Sequence, residues 1–102
     1  MKIGLFLEEM RQGLTQNEAF HDALRIADAA EAAGLDGVWL GEMHCTPDRS
    51  VLSAPLLVAT AIASRTRRLR VGTAVHLLPL NNPLRIAEEV ATLDQEIGRA
   101  HV

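Results

Sequence analysis

Three stretches, residues 2–7 (KIGLFL), 37–40 (GVWL) and 69–75 (LRVGTAV), are rich in apolar residues without clean alternation, and each precedes a helix pattern. Runs of this kind suit strands buried on both faces of a sheet. Thr15-Gln16-Asn17-Glu18 has the spacing of a capping box, so a helix is expected to start there. Phe20, Ala23, Leu24, Ala27 and Ala30 or Glu31 then form one stripe facing the sheet, and Gly34 supplies a left-handed stop. A second helix is expected from about Ser53, with Pro55 in its first turn, to Ser64 or Arg65. Asn82-Pro83 repeats the logic of a cap followed by proline, and predicts a third helix from Leu84 to about Leu93. Short turns between these pieces imply parallel strands joined by right-handed crossovers. The fold class expected is α/β: the first three β/α units of a (β/α)8 barrel. Such barrels run to about 250 residues, and the chain has 102, so an incomplete barrel is expected.

Charge and cysteine content exclude several function classes. The formal net charge of -3 offers no electrostatic footprint for nucleic acid. Cys45 is the only cysteine, which rules out an internal disulfide and a Cys-x-x-Cys zinc set and fits a reducing cytoplasm. Met10 and Met43 lack the spacing to other soft donors that copper would need, so no metal is expected. The apolar run from Ile3 to Leu7 is too brief for a signal-peptide core, and no run approaches the ~20 residues of a membrane span.

Polar groups gathered at the carboxyl ends of consecutive strands are how an α/β barrel builds a site. Glu42 and His44 stand at or just past the end of the second strand. An imidazole there can act as a general base or hydrogen-bond a bound heterocycle; the alternative is a loop pair that meets only water or a helix end. In the third strand, Gly72-Thr73-Ala74-Val75 places small residues where the other strands carry large ones. They admit a flat ligand, or they simply make room for neighbouring barrel side chains. His76 reads as a loop-edge histidine. Arg65, Arg67, Arg68 and Arg70 fall between a helix end and the next strand, opposite the expected site, and read as solvated cations that favour the helix dipole. Cys45 beside His44 is not a nucleophile pair, because catalytic thiols and imidazoles are usually brought together by the fold.

Several of these stretches together resemble the luciferase-like flavin monooxygenase family, which includes bacterial luciferase and coenzyme F420-dependent oxidoreductases. The matching residues are Met1 to Phe6, Gly34 to Leu40, Glu42-Met43-His44, Val71 to Ala74 with Leu78-Pro79, Asn82 to Arg85, and Leu93-Asp94-Gln95. The resemblance implies a barrel with reduced FMN, or alternatively F420, at the carboxyl ends of the strands. It implies a non-prolyl cis peptide behind the flavin at Ala74 and Val75, with Thr73 beside them and Phe6 as an aromatic neighbour of the ring. His44 and Glu42 take the catalytic roles: His44 against the flavin or its oxygen adduct, Glu42 steadying that region. Family members often carry Glu-His-His where this chain has Glu42-Met43-His44, so luciferase chemistry proper is not implied.

The reaction implied by the resemblance is monooxygenation of a small organic substrate with O2, with a flavin reductase as the source of reduced FMN and a homodimeric parent. The rivals are a hydride-transferring F420 enzyme and a non-catalytic flavin-binding or structural fragment. After Gln95 the residues Glu96-Ile97-Gly98-Arg99-Ala100-His101-Val102 depart from the family pattern. They can be encoded by a nucleotide string containing the start of a common short-read sequencing adapter. The expectation is therefore a barrel segment over residues 1–95, a foreign tail over 96–102, and no turnover by the 102 residues alone.

Overall fold

The computed structural model describes residues 1–8, 13–98 and 100–101; Met10, Arg99 and Val102 lie outside the described residues. The elements in chain order are β1 (Gly4–Leu7), α1 (Gln16–Ala32), β2 (Gly37–Leu40), α2 (Pro55–Arg65), β3 (Arg70–Thr73), a 3-10 turn (Leu78–Leu80), α3 (Pro83–Ile97) and β4 (Ala100–His101). All strand pairs are parallel and the sheet order is β1-β2-β3-β4. The three expected strands form, and β4 adds a short fourth through Val71↔Ala100 and Gly72↔His101. The third helix runs past the expected Leu93 to Ile97, where Gly98 ends it with φ 62°.

Local chemistry explains these limits. Thr15 accepts from the Glu18 amide while Glu18 accepts from the Thr15 amide, which completes the capping box at α1. At the other end Gly34 has φ 82°, its N–H reaches Glu31 O, and the Leu35 N–H reaches Ala30 O, a Schellman stop that favours a residue tolerant of left-handed backbone. Asn82 caps α3 by accepting from the amides of Leu84 and Arg85.

Side chains alternate across each strand, so the sheet has two unlike faces. Leu7, Val38, Leu40 and Val71 pack with Ala27, Ala30, Ile62 and Ala63 into one buried core beneath the helices. The buried row of α1 is Ala19, Ala23, Ala27 and Ala30, with Asp22 also buried. Phe20 departs from expectation: it lies about 100° around the helix from Ala19 and is exposed at the rim. On the other sheet face Phe6, Trp39 and Gly72 share a register row. Phe6 remains 51% and Trp39 42% exposed, as befits the lining of a barrel interior.

The amino ends of the strands are tied by carboxylates. Asp36 accepts from the Ile3 amide at 2.7 Å. Glu31, in the last turn of α1, accepts from the amides of Arg67, Arg68 and Leu69 at 2.9 Å each. Those bonds, the Arg68 and Arg67 amides foremost, pull its pKa down to about 2. Arg65 makes a two-pronged pair with Asp28 at 2.9 and 2.6 Å. The arginine run is thus tied to α1 through its backbone, the Arg65 pair and the Arg68 guanidinium, which donates to Glu31 O at 3.0 Å.

Candidate active site

Parallel ladder bonds continue past the strands at their carboxyl ends. The Gly41 amide donates to Leu7 O and the Ala74 amide to Leu40 O, which carries the residues after β2 and β3 out side by side. The Met43 amide donates to Leu52 O and so anchors the Glu42-Met43-His44 segment against the approach to α2.

Glu42 is the centre of this region, with a side chain only 2% exposed. Its Oε1 lies 2.7 Å from Nε2 of His44. An ionised carboxylate can only accept, so His44 donates from Nε2. Oε2 accepts from the Leu77 amide at 2.8 Å. It also lies 3.3 Å from Nδ1 of His76, close enough for a charge contact but outside hydrogen-bond geometry. A buried carboxylate needs this much compensation, since removing it from water without partners costs several kcal/mol.

The two imidazoles differ in access. The His44 side chain is 35% exposed and that of His76 only 8%, with neither ring nitrogen of His76 hydrogen-bonded. Glu42, His44 and His76 line one cleft of about 300 Å³, walled also by Pro55, Leu56 and Leu80. Cys45 is exposed, with φ 59°, while the neighbouring imidazole turns to Glu42. Among the described residues no group of three His, Cys, Asp or Glu is placed to hold a metal.

The remaining candidates sit at the same ends of the strands but do not wall that cleft. The peptide bond between Ala74 and Val75 is cis, at the position the resemblance indicated. Both residues are exposed, whereas Thr73 is buried and its hydroxyl has no hydrogen-bond partner. The Phe6 ring lies over Gly41, where a Cβ would come within 3.2 Å of Cζ. A polar cleft around Glu42 thus lies at the carboxyl ends of the strands, where Phe6, Ala74 and Val75 are also exposed.

His76, read from the sequence as a loop-edge histidine, instead has a side chain only 8% exposed and lies beside Glu42. Its signal is its place at the end of β3, next to the strand that carries Glu42. What pattern alone lacks is the direction of its ring.

Residues 1–100 match the sequence pattern of the luciferase-like monooxygenase family. The chain belongs to that family. The alkanal monooxygenase alpha chain of the Kryptophanaron alfredi symbiont is 36% identical over 96 residues, covering 93% of this chain and 27% of the relative. Among solved structures, the oxygenating constituent of 3,6-diketocamphane monooxygenase from Pseudomonas putida, a type II Baeyer-Villiger monooxygenase in complex with FMN, superposes with a TM-score of 0.89 at 27% identity. That superposition covers 98% of this chain and 28% of the other. An F420-dependent secondary alcohol dehydrogenase in complex with an F420-acetone adduct gives a TM-score of 0.77 at 27% identity, over 99% of this chain and 30% of the other. The chain therefore spans little more than a quarter of the luciferase-like relatives it matches, and it corresponds to the amino-terminal part of their TIM barrels. Among the described residues no helix is long and apolar enough to cross a membrane.

Proposed function

We propose that the protein carrying these residues is a flavin-dependent monooxygenase that uses reduced FMN and O2 to oxygenate a small organic substrate. The observation that carries this reading is the Glu42-centred cluster at the carboxyl ends of β2 and β3, in a chain of the luciferase-like family. Exposed apolar groups at these strand ends suit a flat aromatic ring: Phe6 is half exposed over Gly41, and Ala74 and Val75 are exposed after β3. Phe6, Thr73, Ala74 and Val75 would hold the flavin there. When bound, reduced flavin supplies the electrons that activate oxygen.

The protein's own part is orientation and proton handling. His44, the accessible imidazole, meets substrate or flavin; Glu42 fixes its ring by holding the proton-bearing side at Nε2. Leu56, Leu80 and Pro55 keep the cleft wall apolar, which strengthens every polar contact inside it. We assign turnover to the whole protein rather than to these residues alone, together with a reductase as supplier of reduced FMN, a homodimeric state and a cytoplasmic location.

Similarity to the F420-dependent dehydrogenase favours a second reading, hydride transfer without oxygen. Loading the whole protein with reduced FMN or reduced F420 and following oxygen uptake separates the two. Oxygen consumption coupled to product with FMN supports the monooxygenase; substrate reduction by reduced F420 with no oxygen uptake overturns it. If His44→Ala leaves flavin oxidation and product yield unchanged, the role given to His44 is wrong.

A further inference from the structure

Among the described residues, His76 is a buried group near the cluster to which the proposed reaction gives no task. Its side chain is only 8% exposed, yet neither ring nitrogen has a hydrogen-bond partner. A sealed imidazole of this kind is costly to keep unless it acts on something beside it. The group beside it is Oε2 of Glu42, 3.3 Å from Nδ1. A lone pair on Nδ1 would face an anionic oxygen and be repelled, so Nδ1 of His76 carries a proton. Because Nε2 of His76 is closed to solvent, this residue works through Glu42 and not on a ligand directly.

Glu42 then divides its two oxygens between two rings. Oε2 faces the Leu77 amide and His76, while Oε1 is left to His44. The second imidazole draws carboxylate charge toward Oε2 and holds the carboxylate plane, and that plane sets the bond to Nε2 of His44. We propose that His76 is a positioning residue that, through Glu42, fixes His44 as the Nε2–H tautomer with its Nδ1 lone pair free to accept from a bound O–H or N–H group. The ligand is the substrate only if the protein is the monooxygenase proposed, and the role of His76 in turnover rests on that reading; the hydrogen-bond arrangement can be tested apart from it.

The test is long-range proton–nitrogen correlation NMR of the histidine rings in the whole protein, without flavin or oxygen, for wild type, His76→Phe and His76→Asn. In wild type, His44 carries its proton on Nε2 and a pyridine-type nitrogen at Nδ1, and His76 carries its proton on Nδ1. In His76→Phe, Oε2 loses a partner, charge gathers on Oε1, and the His44 Nε2–H proton resonance moves downfield. His76→Asn, which restores an N–H near the Nδ1 position, returns it toward the wild-type place. A His44 proton on Nδ1 in wild type overturns the proposal, even if His76→Phe does not fold, and so does a His44 spectrum indifferent to both substitutions. In the active protein, His76→Phe lowers kcat on the order of tenfold with KM little changed, and His76→Asn recovers most of the loss. Absence of oxygen uptake in wild type would overturn the monooxygenase reading, while the expected His44 spectrum would still support this arrangement.

Discussion

Glu31 and Glu42 are the same residue type at opposite ends of one sheet, and each gathers several donors. Glu31 gathers only backbone amides, those of Arg67, Arg68 and Leu69, around the turn that leads into β3. Glu42 accepts from one amide and from the imidazole of His44, with the His76 ring 3.3 Å away. Backbone donors cannot change protonation or turn away, so the first carboxylate can only hold the turn. Imidazoles can do both, so the second is suited to chemistry. A barrel's division into a stability face and a reactive face is here written in the partners of two glutamates.

Substitutions at each end can break that contrast. The largest effect is expected for His44→Ala, which should lower turnover about 10²- to 10⁴-fold in the whole protein while leaving thermal unfolding almost unmoved. Glu42→Gln should come next at about 10- to 100-fold, because the ring it steers stays in place but loses its anionic anchor. A large stability loss in either variant with no kinetic effect would mean that the upper end is as structural as the lower.

Glu31→Gln should do the reverse, destabilising the fold at neutral pH by about 1–3 kcal/mol with kcat unchanged. The pH dependence has a definite sign. Folding depresses the Glu31 pKa from 4.5 to about 2, so its stabilisation is full above pH 4.5 and drains away as pH falls through about 2. Denaturant melts of wild type and Glu31→Gln should therefore converge between those limits; a constant gap down to pH 2 would refute the linkage. The smallest effect is expected for Arg65→Ala, since its pair with Asp28 is well exposed: roughly 0.5 kcal/mol, shrinking with added salt.

The elements that sequence could reveal are those whose signals are local. Thr15 with Glu18, Gly34, Pro55 and Asn82-Pro83 punctuate the chain through bonds that span a few residues, and the helices begin or end beside them. The strand cores were legible from their apolar runs, and the positions of Glu42 and His44 from the place where β2 gives out. Less legible was anything that depends on direction across the fold. Phe20 belonged to a plausible stripe but stands at its rim, since alanines bring α1 close to the sheet along a neighbouring line. Glu31 was one more helix residue until the turn at Arg67 folded back 36 residues later onto its carboxylate. His76 looked peripheral because its burial comes with Glu42, 34 positions away on another strand end.

The inner face of the sheet also provides an optical handle. Trp39 is the sole tryptophan of these 102 residues, and it stands on the sheet face away from the core, its indole over Gly4, with much of the ring open to water. Its emission maximum in these 102 residues should report whether that face is wet or covered, moving to shorter wavelength as the ring leaves water, without any added dye.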